Sequence, residues 1–207
     1  MKPPRRGRLK VVLAGVLVAA VLAILRPWTI VPMQSTPAGK FDPQSYVASA
    51  WDARVLPTAL GAAIDLRAFM ETAAADPAGS GPRAVFVTGT ATVVEIDRGS
   101  RIGLARLRLP WASDGQRAAL QIGPVLRGTA LRDALPFIRF TDFINQLEFA
   151  SVANALNDRV VSGVLPPVNV DGLAGREVAF VGAVPATGSR AVLEIVPVQL
   201  QLVERTR

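Results

Sequence analysis

The sequence predicts a mainly β, α+β fold: an OB-fold-like five-stranded barrel with helices between its third and fourth strands, preceded by two N-terminal helices and a single transmembrane anchor. Three observations carry this expectation. The run Ala84 to Ile96 is dense in β-branched residues and has Gly89 at its middle, as a long strand able to bend would. The extended stretches fall in the order three strands, helices, two strands, which is the order of the Greek-key OB-fold. The run Val11 to Leu25 is fifteen residues without a polar side chain, and it follows a basic N-terminus. An unrelated α+β sandwich with the same order of elements is the alternative.

The elements follow in chain order. A membrane span needs about 20 apolar residues, and Leu9 and Trp28 to Val31 can extend the apolar run. Arg26-Pro27-Trp28 stands where a cleaved signal would show small residues, so an uncleaved anchor is expected over a cleaved signal. The segment Arg5 to Lys10 also has the look of a twin-arginine signal, with Arg8 where an aromatic is usual. The cationic flank puts the first ten residues in the cytoplasm and the body in the periplasm. Gln34 to Gly39 reads as a linker. Asp42 and Pro43 open a helix as N-cap and first helical residue, with Val47, Trp51 and Val55 on one face and Pro57 as its stop. A second helix is expected over Thr58 to Ala75, with Leu60, Ile64 and Ala68 inward. Asp76 to Pro82 is a loop.

Strands are expected at Ala84 to Ile96, Ile102 to Leu109 and Ala118 to Gly123. In the helical interlude, Leu131, Ala134, Leu135 and Ile138 share one face; Val152, Leu156, Val160 and Val164 share another. The last two strands are Arg176 to Val184 and Ala191 to Val203, with Pro197 marking an edge or a bulge. The chain thus divides into a basic segment with anchor or signal at 1–33, a linker at 34–40, a helical arm at 41–82 and an OB-like domain at 83–207.

Charge and composition narrow the chemistry. The chain has 207 residues and a formal charge of +7. Six of its 23 basic residues lie at or before Arg26 and all 16 acidic residues lie after it, which leaves the rest at +1. A nucleic-acid-binding domain would carry its own basic face, so no nucleic-acid partner is expected. There is no histidine and no cysteine. Disulfides, thiolate or imidazole metal sites and histidine-based triads are therefore excluded. No phosphate-binding glycine motif and no calcium-loop pattern occurs, so neither a metal nor a cofactor is expected.

Several stretches carry a resemblance: Phe41-Asp42-Pro43 with Tyr46 and Trp51, Leu56-Pro57, the long run Leu120 to Asp133, Phe137 to Phe140, Asp142 to Gln146, and Ala155 to Arg159. Together they resemble a family of predicted periplasmic lipoproteins of unknown function (domain of unknown function 2291), over nearly all of 40–203. The resemblance implies an envelope protein, often encoded beside sugar importers of the ribose type. It brings no catalytic residues. A lipoprotein needs a cysteine to acylate and this chain has none, so the apolar N-terminal segment is expected to do the tethering at the cytoplasmic membrane.

The polar residues of 121–148 are the candidate site. Gly128-Thr129 leads into a helix, flanked by Arg127, Arg132 and Asp133, with Asn145 and Gln146 further on. Guanidiniums, a carboxylate, a hydroxyl and planar amides near Phe140 and Phe143 suit a sugar or a small anion. All of these side chains also have ordinary structural uses. The leading expectation is a non-enzymatic, membrane-tethered accessory protein of a sugar importer. A small-ligand binding module is the alternative. An envelope hydrolase using Asp133, Asp142 and Glu148 is the distant one, since nothing in their spacing pairs two carboxylates across a substrate.

Overall fold

The computed structural model describes residues 41–75, 83–112, 117–186 and 192–203. The chain opens with helix α1 (Pro43–Ala50), capped by Asp42, whose carboxylate accepts from the Gln44 N–H at 3.0 Å. The helix does not stop at Pro57, as the sequence suggested. It widens into a π-helical segment, Trp51–Val55, and continues as α2 (Leu56–Ala62). Pro57 then stands in the first turn of α2, directly after the π-helical turn, whose wider winding accommodates a residue without an N–H inside the helix.

The second expected helix is interrupted. Ala63 turns extended, and Ile64–Asp65 form strand β1 before helix α3 (Leu66–Ala75). Asp65 causes the restart: its carboxylate accepts from the N–H groups of Arg67 and Ala68 at 2.9 and 3.1 Å, as an N-cap does. The inward face shifts with it. Leu60, Ile64 and Ala68 are exposed, while Ala59, Leu66 and Phe69 are buried.

The strands are β2 (Ala84–Asp97), β3 (Leu104–Arg108), β4 (Ala118–Gln121), β5 (Glu177–Pro185) and β6 (Leu193–Leu202). Between β4 and β5 lie the single turn α4 (Ala130–Asp133) and helix α5 (Gln146–Arg159), which runs on into a π-helical segment at Val160–Val164. The order in the sheet is β1-β2-β3-β4-β6-β5, and β5 also pairs with β2. β2 is the longest strand. One of its edges pairs with β5 from Ala84 to Thr92; the other meets β1 at Val87–Thr88 and β3 from Thr92 to Asp97.

The expected fold is corrected in its sheet. The sheet is mixed and has six strands where five were expected: β1 adds a parallel strand that no sequence period announced, β4 and β6 also run parallel, and β2 pairs with β5 as well as with β3. The expected transmembrane anchor is not met where the chain is described. Among the described residues no helix is long and apolar enough to cross a membrane, and the run Val11 to Leu25 lies outside them. The bend in β2 also differs from expectation. Its register shifts between Val93 and Glu95 rather than at Gly89, where the Phe180 ring sits 3.3 Å from the place a Cβ would occupy. Pro197 does mark a bulge, opposite Gly182.

One hydrophobic cluster joins helices and sheet. Val47, Trp51, Val55 and Leu66 belong to the same buried set as Phe86, Leu120, Leu131, Leu156 and Ile195. This cluster fixes the loop after β4 against the start of β6, and the site lies between them.

Candidate functional site

A cleft of about 730 Å³ opens where the end of β5 parts from β6. Its floor is Gln121, Glu194 and Val196. One wall is Arg127 to Ala130 with Asp133, and the opposite rim is Arg83, Pro185 and Val192.

The floor is a charged network. Glu194 is nearly buried, with 10% of its side chain exposed, whereas the Arg127 side chain is 58% exposed. Arg127 grips it with two nitrogens: Nε donates to Oε2 at 3.0 Å and Nη2 donates to Oε1. Gln121 completes the arrangement. Its Nε2 donates to Glu194 Oε2 at 3.0 Å, and its Oε1 accepts from the Arg127 backbone N–H at 2.8 Å. A buried carboxylate thus has three donors, which is what its desolvation requires.

The wall is held from behind. Gly128 has φ of +90°, a left-handed conformation that an L side chain would strain. Its carbonyl accepts from Asn157 Nδ2 of α5 at 3.1 Å. Thr129 Oγ1 donates to Asp133 Oδ2 at 2.6 Å. Arg132 is buried and does not line the cleft. Its Nε and Nη2 donate to Asp133 Oδ1 at 2.9 and 2.7 Å, its Nη1 donates to the Phe149 carbonyl, and its guanidinium lies 3.8 Å from the Phe149 ring centre. Arg132 is a positioning residue for Asp133.

Of the six residues read from the sequence, Arg127, Thr129 and Asp133 line the cleft. Asn145 is the N-cap of α5, accepting from the Glu148 N–H at 2.9 Å, and Gln146 is the exposed first residue of that helix. Phe140 and Phe143 form no wall of the cleft; Phe140 packs edge-on against Phe149 and Phe143 packs tilted against it. The sequence reading missed Gln121, Arg83 and Glu194. Glu194 did leave a signal: it is the sole charge in the otherwise apolar run Ala191 to Val198.

The hydrolase carboxylates are not brought together. Only Asp133 lines the cleft. Asp142 pairs with Arg139, whose guanidinium and backbone N–H hold its carboxyl below the usual carboxylate range. Glu148 accepts from the Ile144 N–H at the start of α5. Glu194 supplies a second carboxylate in the cleft, and both it and Asp133 are already committed to arginines. Among the described residues no group of acidic side chains could hold a metal ion.

Known proteins place this architecture. The chain is similar to the crystal structure of an OB-fold protein from Thermotoga maritima, at 19% identity and a TM-score of 0.62, over 79% of this chain and 99% of the other. At that identity the likeness shows the fold alone. No curated protein matches the chain. Residues 16–201 match a family described as a predicted periplasmic lipoprotein, domain of unknown function 2291. With nine-tenths of its length inside that match, the chain belongs to this family of predicted periplasmic lipoproteins of the cell envelope.

Proposed function

We infer that the body is a small-ligand binding module whose cleft takes a neutral polyhydroxylated molecule of the sugar or polyol class. The observation that carries this is the lining: the carboxylates of Asp133 and Glu194 stand in the cleft beside the guanidiniums of Arg83 and Arg127, so an anion entering it would meet acceptors as well as donors. Hydroxyl groups both donate and accept. They can donate to the two carboxylates and accept from the guanidiniums and the Gln121 amide without removing either ion pair. Gln121, Arg127 and Glu194 hold one another in place, which keeps the ordering cost of binding low.

Calorimetry of the full-length chain against pentoses, hexoses, polyols and sugar acids tests this. A neutral member of the panel should bind, and Glu194→Gln and Asp133→Asn should each weaken it about tenfold, the effect of losing one charge-assisted hydrogen bond. Asn145→Ala should leave it unchanged. No heat with any compound, or binding indifferent to both cleft substitutions, refutes the reading. An accessory role beside a sugar importer would use the same cleft for the imported solute. Recovery of importer components with the tagged chain from sugar-induced membranes tests that role, and their absence counts against it.

A further inference from the structure

Three large apolar side chains within eight residues face solvent. Ile144 is 80% exposed, Leu147 79% and Phe140 54%. Single exposed apolar residues are ordinary, but a patch continuous with an aromatic cluster is not. Phe140 packs edge-on against Phe149, Phe149 packs tilted against Phe143, and Phe143 packs edge-on against both Phe41 and Tyr46, with ring centres 5.5 to 5.9 Å apart.

The fold does not need these side chains to be apolar. Ile144 immediately precedes the N-cap Asn145, where an apolar residue commonly packs against the fourth helical residue, here Phe149, and fixes the chain's entry into the helix. At 80% exposure Ile144 forgoes that burial. The entry is fixed by polar groups instead: the Asn145 side chain accepts from the Glu148 N–H, and Glu148 accepts from the Ile144 N–H.

The position of the patch indicates its occupant. The described body begins at Phe41, and the Phe41 ring lies 5.5 Å from that of Phe143, the residue next to Ile144. Forty residues precede Phe41, including the fifteen-residue apolar run Val11 to Leu25. The chain therefore enters the body at the edge of the patch, and the family is one of predicted periplasmic lipoproteins. We propose that Phe140, Ile144 and Leu147 form a membrane-facing surface that inserts into the outer margin of a phospholipid bilayer. Arg139, the charge next to Phe140, is bound to Asp142, so apolar insertion rather than attraction to anionic lipid provides the affinity.

The natural chain has no cysteine, so one introduced cysteine labels a single place. Ile144→Cys, Leu147→Cys and, as a control in the turn after β2, Ser100→Cys are labelled with a polarity-sensitive fluorophore. Each full-length variant is reconstituted into phosphatidylethanolamine–phosphatidylglycerol vesicles containing nitroxide-bearing lipid. All three positions are exposed, and each variant should melt with the parent protein. The labels at 144 and 147 should shift to the blue and be quenched by the nitroxide lipid, at low and high salt alike, while the label at 100 is not. The proposal is overturned if neither patch label is quenched, if all three are quenched equally, or if the patch labels are shielded only in a concentration-dependent way without lipid quenching. The last result would assign the surface to a second copy of the chain.

Discussion

At the scale of single residues, Glu194 concentrates the most consequence. It is the buried end of a pair whose other member is more than half exposed. Replacing it with alanine leaves the Gln121 amide only its longer bond to the Arg127 carbonyl, at 3.4 Å, while the Arg127 guanidinium can regain water. The expected loss is about 1–3 kcal/mol by urea denaturation, less than for a pair buried at both ends. Glu194→Gln should lose less, since it keeps an acceptor for Gln121. Gly182 gives a sharper case. A Cβ there would overlap Ile195 Cγ2 and stand 2.8 Å from the Val196 carbonyl oxygen at the bulge opposite Pro197. Backbone cannot retreat as a flexible side chain can, so Gly182→Ala should cost about 1–3 kcal/mol by the same measurement. Asn145→Ala removes a helix cap and should cost about 1 kcal/mol with no change in cleft chemistry, which separates it from the lining residues.

At the scale of elements, three carboxylates anchor turns and helix starts, and their proton affinities are lowered for identifiable reasons. Asp42 is stabilised as the anion first by the Ser45 hydroxyl and then by the Gln44 N–H. Asp97 is held first by the Gly99 N–H and then by Arg106 across the β2–β3 turn, and Asp142 by Arg139. Each binds its proton less readily when folded than when unfolded. Their contribution to stability is therefore present above the ordinary carboxylate range and is lost as pH falls through the lowered folded values. Thermal melts should be flat in this respect from neutral pH down to about pH 4 and then fall, and Asp97→Asn should flatten part of that decline.

The element scale is also where reading the sequence succeeded and failed for local reasons. The β-branched run of β2, the cap at Asp42 and the bulge at Pro197 have short-range causes. The break at Ala63 has one too, in the Asp65 cap, but the alanine-rich composition on both sides masked it. β1 has no local cause. Two residues become a strand only because Val87 and Thr88 offer them an open edge.

At the scale of the whole molecule, one apolar cluster spans the N-terminal helices and the sheet. Trp51 is 3% exposed within it. Trp51→Ala should cost about 3–5 kcal/mol, and the helical and sheet signals should be lost in one transition rather than two. A sheet that melts unchanged after the helices have been lost would contradict this. The cleft is also a property of the whole molecule, since its lining comes from the residue before β2, from β4, β5 and β6, and from α4 with the loop into it.

Strands β2 to β6, the helical face around Val152 and Leu156, the near-neutral charge of the body and the lack of thiol and imidazole groups could all be read from the sequence. The sequence also located Arg127, Thr129 and Asp133, because a glycine-led turn into a helix with polar flanks is a local pattern. Only the tertiary structure decided that Glu194 and Gln121 meet Arg127, that Arg132 and Asn145 are supports rather than lining, and that Ile144 and Leu147 stay uncovered. Glu194 is 67 residues from Arg127 in sequence. Such a contact is set by the parallel pairing of β4 with β6, and burial on one side of a helix depends on what packs there, so neither is encoded in a window of neighbouring residues.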